Sequence, residues 1–196
     1  MNRLIKQILL LTLMPIVRLF RAPVELLRRL GSFVHLGSHI RGTLDTSVVI
    51  LGPAEIHGSR NIHLGRNLML YRELYLETQN AGRIEIGDGV VISRGVHIVS
   101  YESIVIEHGA MIGEYSSLRD ANHVYGEGDL REAGHVGEPI RIGANAWIGR
   151  GVTILPGVTV GESAVIGANA VVTRNIAAGD VVAGVPARSL RNRVAA

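Results

Sequence analysis

The chain contains no cysteine. That excludes disulfides, thiolate nucleophiles and cysteine metal sites together, and it fits a reducing compartment. Aromatic residues are also scarce, at 4% of 196 residues, with a single tryptophan. A sequence that is 47% hydrophobic yet almost without rings must fill its core with Ile, Val, Leu, Ala and Gly. Many thin, similar layers suit that composition better than a sandwich or a doubly wound sheet does. Lysine is nearly absent, Lys6 being the only one among the 20 Lys and Arg. The isoelectric point near 9.7 therefore reflects arginine, whose planar fork suits phosphate and carboxylate. No basic block with interleaved aromatics occurs, so nucleic acid is not an expected partner.

The length allows one well-buried core plus a small appendage. Residues 1–31 read as that appendage, a helical segment. Ile8 to Val17 is apolar, preceded by Arg3 and Lys6 and followed by Arg18 and Arg21. This run is about half of the roughly 20 residues that span a bilayer. The following LFRAP lacks the small residues of a signal-peptide cleavage site. The segment is expected either to pack on the main body or a neighbouring subunit, or to lie on an inner-membrane surface with its arginines among head groups. A cytoplasmic location, peripheral at the inner face of the membrane in the second case, follows. A second short helix is expected next, with Pro23 near its start and Gly31 past its end.

From about residue 44 a six-residue period takes over, which neither a helix nor an ordinary strand produces. Its clearest run is IGANAW, IGRGVT, ILPGVT, VGESAV, IGANAV, VTRNIA, led by Ile142, Ile148, Ile154, Val160, Ile166 and Val172. Two residues before each leader stands a second inward candidate, giving pairs such as Ala146/Ile148 and Val152/Ile154. Alternation within a pair is strand-like, and the glycines permit a tight corner after each short strand. The pairs group in threes from Ile62/Leu64 to Ala170/Val172, each group being one turn of a three-sided coil. Three longer segments, Glu77 to Arg83, Val99 to Ser103 and Arg119 to Pro139, all follow a third pair. They should therefore project from one edge of the prism, the arrangement of a scaffold that presents a site.

The stretch IGANAWIGRGVTILPGVTVGESAVIGANAVVTRNIAAGDVVAGVPAR resembles the C-terminal half of the galactoside, maltose and related sugar O-acetyltransferases. The resemblance is dense from about Ile84 to Arg191. It implies an all-β, left-handed parallel β-helix of hexapeptide repeats with three short strands per coil, and a homotrimer that binds acetyl-CoA between adjacent subunits. The β-helix would occupy residues 32–180, with an inserted catalytic loop at 119–139. Residues 181–196 would form a tail that completes the CoA site.

In that family the catalytic histidine stands in a loop shortly before an NxWIG motif. RDANHVY places His123 there, with Trp147 as the motif's tryptophan. The chemistry needs such a group, because a sugar hydroxyl attacks a thioester well only as a base removes its proton. Neutral imidazole is the side chain best poised for that near neutral pH. The transfer would be direct, in keeping with the missing cysteine and the missing G-x-S-x-G elbow. Of the other histidines, His35, His39, His57, His63, His97 and His108 fall on turns or outward faces, whereas His135 shares the insertion and is the rival base. Asp120 and Asn122 flank His123 as acceptor-side candidates or as plain turn residues. Ser93 stands where the family has an acceptor-binding asparagine. The resemblance maps CoA onto Trp147, Gly149, Ala168, Thr173, Arg174, Arg188 and Arg191. Small Gly149 and Ala168 would let a pantetheine arm lie against the backbone, and the arginines would hold phosphates. No metal is expected.

The expected activity is therefore acetyl-CoA-dependent O-acetylation of a sugar, on a polysaccharide or lipid-linked precursor. An amino-sugar N-acetyltransferase or a serine acetyltransferase is the alternative enzyme. A non-catalytic β-helix binding or assembly module is the alternative of another class.

Overall fold

The computed structural model describes residues 2–125, 129 and 132–190. Its body is a parallel solenoid of short strands wound around three faces. The first face runs through Val49–Ile50, Met69–Leu70, Val91–Ile92, Met111–Ile112, Trp147–Ile148, Val165–Ile166 and Val181–Ala183. The second stacks Ala54–Gly58, Leu74–Thr78, His97–Ser100, Ser117–Arg119, Thr153–Ile154 and Val171–Val172. The third stacks Ile62–Leu64, Arg83–Ile86, Ser103–Ile106, Ile140–Ile142 and Thr159–Val160. The register is unbroken from coil to coil: Ile92, Ile112, Ile148, Ile166 and Val182 stand one above another.

The inward residues are those that the period marks. From Ile62 to Val172 the paired positions are all buried except Leu64, which is partly buried. They fill the prism as layers of aliphatic side chains, so no ring larger than a branched aliphatic is needed inside. The corners explain the recurring Gly and Asn. Between the first and second faces, the same corner position has positive φ in Glu73, Gly95, Tyr115, Gly151 and Asn169. Glycine enters this left-handed region freely and Asn does so more readily than most residues. The handedness of the coil rests on the resemblance described above.

The solenoid begins one coil earlier than the grouped pairs, with Val48, Ile50, Ala54 and Ile56 buried. It also continues past residue 180. Val181–Ala183 joins the first face and then pairs antiparallel with Arg188–Ser189.

The N-terminal segment differs most from expectation. It is a single helix, Arg3–Gly37, with Pro15 and Pro23 inside it, so neither a second helix starting at Pro23 nor an end at Gly31 occurs. Only its last turns meet the prism, where Leu36 is fully buried and Phe33 packs against the core. Leu36 thus closes the first coil, while Ile5, Leu9, Leu13 and Ile16 are exposed. The apolar stretch is also not confined to Ile8 to Val17. Within Ile5–Gly37 an 18-residue window reaches a mean hydropathy of 1.5, so by length and composition the helix is long and apolar enough to cross a membrane.

Candidate active site

The long insertion leaves the second face at Arg119 and returns to the third face at Ile140. Its two ends form an antiparallel ribbon, Ala121–His123 against His135–Gly137, in which His123 and His135 are direct partners. Their rings lie 4.1 Å apart, and His135 stacks in turn on Tyr101 at 4.3 Å. The rival histidines of the sequence are therefore one unit. Burial, with smaller contributions from His123 and Arg119, holds His135 below the ordinary histidine range. His135 therefore stands between His123 and Tyr101, in contact with both rings.

Asp120 anchors the root of this ribbon. It is fully buried, and its carboxylate accepts hydrogen bonds from Ser100 Oγ at 2.7 Å, Tyr101 N at 2.7 Å and Glu102 N at 3.0 Å. A residue so enclosed does not reach a sugar, so its expected acceptor-side role gives way to a structural one. Asn122 remains exposed beside His123, opposite Val136. An Asp120→Asn variant would turn an amide N–H against donors that now converge on oxygen. Loss of about 1–3 kcal/mol of stability is expected, read as a lower midpoint in denaturant unfolding. An unchanged midpoint would contradict the anchoring role.

A second group of candidates meets on the edge between the first and second faces. Ser93, Trp147, Gly149 and Ala168 line one cleft of about 520 Å³, together with Met111, Glu114 and Arg150. Trp147 stands on the outer side of its strand, 56% exposed, where its ring forms a wall rather than a packed corner. Gly149 has a reason other than a ligand. A Cβ there would meet Ile166 O at 2.7 Å and Ala168 N at 2.8 Å, so the next coil requires the glycine.

Arg150, which the resemblance does not mark, contributes a cation to this cleft. Its guanidinium stands 5.6 Å from the centre of the Tyr115 ring, while Arg94 approaches the same ring at 5.9 Å. Arg94 is tied to Glu73 at 2.7 Å, whereas no ion pair involves Arg150 among the described residues. Tyr115 itself has a φ of 58°, unusual for a bulky residue and typical of strained functional positions. A pattern reading had little chance of finding this group, since Tyr115 occupies a corner position where the other coils carry Glu73, Gly95, Gly151 and Asn169.

The remaining candidates lie elsewhere. Thr173 and Arg174 follow the last strand of the second face, on the edge that carries the insertion, and both are exposed. Arg188 lies in the terminal antiparallel pair and lines a separate pocket with Gly184 and Pro186. Arg191 lies outside the described residues. Within one chain the second face therefore separates His123 from the Trp147 cleft. Along that face the rings of Tyr75 and His97 stack at 4.5 Å, with His57 5.2 Å from Tyr75 in the coil before. Tyr75 donates to Glu77 at 2.5 Å. That bond, with burial, pushes the phenol up to about 12. His57 and His97 thus belong to a stacked ladder between coils. Among the described residues no group of three or more His, Asp and Glu is placed to hold a metal ion.

Residues 139–174 match the bacterial transferase hexapeptide family, described as six repeats. No curated protein matches the sequence. Among solved structures, the fold is similar to a hexapeptide-repeat-containing acetyltransferase from Vibrio cholerae complexed with acetyl-CoA. The identity is 25%, the match covers 87% of this chain and 88% of that one, and the TM-score is 0.53. It is also similar to a maltose O-acetyltransferase from Clostridium difficile, at 22% identity and TM-score 0.51, over 85% of this chain and 86% of that one. A third similar structure is a histidine-to-alanine mutant of GDP-perosamine N-acetyltransferase from Caulobacter crescentus, in complex with CoA and GDP-perosamine. It is 22% identical with TM-score 0.53, and 72% of this chain covers only 55% of that one. By its repeat and its fold, then, the chain is a hexapeptide-repeat solenoid, similar over most of its length to a hexapeptide-repeat-containing acetyltransferase.

Proposed function

We propose that the protein is an acetyl-CoA-dependent O-acetyltransferase acting on a saccharide hydroxyl, with His123 as its general base. The observation that carries this reading is the ribbon geometry. The one long insertion in the coil holds an exposed imidazole on a paired ribbon, against His135 and, behind it, Tyr101. His123 takes the hydroxyl proton as the acceptor oxygen attacks the thioester carbonyl. The tetrahedral intermediate then collapses, and the C–S bond breaks. The leaving CoA sulfur receives the proton from the imidazolium, which restores the base. No acyl-enzyme forms.

The donor belongs in the Trp147 cleft. Trp147 offers a wall, Ala168 leaves room along the backbone, and Arg150 gives an anion partner that the sequence reading lacked. Because the second face separates this cleft from His123 in one chain, the site is completed when a neighbouring copy brings its ribbon to the cleft. The homotrimer expected from the resemblance supplies such a neighbour. Arg174 and Arg188 then serve the donor from other edges of the assembly.

The test is release of free CoA thiol from acetyl-CoA with a panel of neutral sugars, amino sugars, serine and oligosaccharides. A neutral saccharide is expected to be the best acceptor, and its product should lose acetate in mild alkali, as an ester does. An alkali-stable product would be an amide and would assign an amino sugar instead. No thiol release with any acceptor would favour a binding or assembly module.

A further inference from the structure

The helix Arg3–Gly37 is the feature that the solenoid and its clefts leave without a role. Every large apolar side chain from Ile5 to Leu30 is exposed, Leu11 and Leu19 by 76% and 73%. Water in contact with so long an apolar run is unfavourable, and a continuous patch of this kind marks an interaction surface.

The charge pattern says what covers it. At 100° per residue, Arg3, Arg18, Arg21, Glu25, Arg28 and Arg29 fall within about a third of the circumference. Ile5, Ile8, Ile16, Leu19 and Leu27 lie on the opposite side, while Leu10, Leu11 and Met14 share the basic sector. The helix holds six Lys and Arg and one acidic residue. That residue, Glu25, pairs with Arg28 at 2.8 Å and Arg29 at 3.1 Å. Among the described residues Arg3, Lys6, Arg18 and Arg21 take part in no ion pair. A second copy of the same helix would cover the apolar side but offer the arginines no anionic partner. An anionic lipid surface offers acyl chains to one side and phosphates to the other.

We propose that this helix lies in the plane of an anionic bilayer surface, with its apolar side among the acyl chains. Its arginines then sit at the level of the lipid phosphates, and the prism is held at the surface through the packed turn around Leu36. Spanning fits the sequence less well despite the length of the helix. The longest uncharged stretch, Gln7 to Val17, has 11 residues. At about 1.5 Å per residue it reaches only about half of a hydrocarbon core of roughly 30 Å. A crossing helix would therefore draw Lys6 or Arg18 and Arg21 into hydrocarbon, where charge is strongly disfavoured. This inference is independent of the acceptor and of the catalytic base.

The experiment is co-sedimentation of the full chain with vesicles of phosphatidylglycerol, or of phosphatidylcholine, at low and high salt. At low salt the protein should partition at least tenfold more strongly onto phosphatidylglycerol, and high salt should release most of it. Each basic residue near such a surface contributes about fivefold. R18E/R21E should therefore weaken partitioning about 30-fold or more, while thiol release with a soluble acceptor stays unchanged. Three results would overturn the proposal. One is full-length protein left in solution with phosphatidylglycerol. Another is equal, salt-resistant and alkali-resistant pelleting with both lipids, which indicates a crossing helix. The third is vesicle-free pelleting that R18E/R21E leaves unchanged, which indicates self-association through the helix.

Discussion

Replacing His123 with alanine is expected to lower turnover about 10²–10⁴-fold, the usual loss when a general base is removed. Folding and CoA binding should be retained. His123 is exposed on a ribbon outside the coil, so its truncation opens no cavity in the prism. Turnover of acetyl-CoA by the purified variant, beside its unfolding midpoint and CoA affinity, checks all three. The contact with His135 makes the companion variant informative. His135→Ala removes the ring that lies between His123 and Tyr101, so it should lower turnover less than His123→Ala does. It should also reduce protection of the ribbon amides against hydrogen exchange. Near-normal turnover in His123→Ala with abolition in His135→Ala would reverse the assignment.

The second large effect is structural. Ile148→Asp should yield no soluble, cooperatively folding protein. Ile148 is fully buried in the column between Ile112 and Ile166. Removing its aliphatic side chain alone costs about 2–5 kcal/mol, and an aspartate there has no hydrogen-bond partner even when it is protonated. Together these approach the whole stability of a typical domain, about 5–15 kcal/mol. Trp147→Asp is the matching control, because the neighbouring residue points outward. It should fold with a near-normal circular dichroism spectrum and melt. Cooperative unfolding of Ile148→Asp would show that this column tolerates charge and that its inward assignment is wrong.

The coil was open to reading from sequence because each layer repeats the same physical problem. A short strand must bury two residues and then turn, so Ala146/Ile148 and Ala164/Ile166 carry the same pattern as their neighbours. The edge carrying the insertion was equally legible, since three irregular segments share one phase of the repeat. Local propensity marks Pro23 and Gly31 as helix boundaries, yet both are tolerated inside a helix that continues through them. The first coil, at Val48 to Ile56, was only partly caught, since its spacing near Gly52 and Pro53 is less regular. At the site, the position of His123 in the insertion was visible, but the partnership of His123 with His135 was not. It arises from antiparallel pairing across residues far apart in sequence, and no local pattern encodes that. Asp120 looked like a ligand contact because its hydrogen-bond donors, Ser100, Tyr101 and Glu102, come from the previous coil. Arg150 escaped notice because its significance depends on Tyr115 and on the cleft beside Trp147.

The final antiparallel pair, Val181–Ala183 with Arg188–Ser189, has a consequence for how many coils the molecule can have. A parallel solenoid ends in a bare row of amide and carbonyl groups ready to template another layer. Reversing the chain direction at the last strand of the first face gives that row a partner of the wrong polarity for further parallel growth. At the other end Leu36 occupies the place where another apolar layer would dock. With one end turned back on itself and the other plugged, copies of the molecule are discouraged from joining head to tail into a fibre, and association is directed to the sides of the prism.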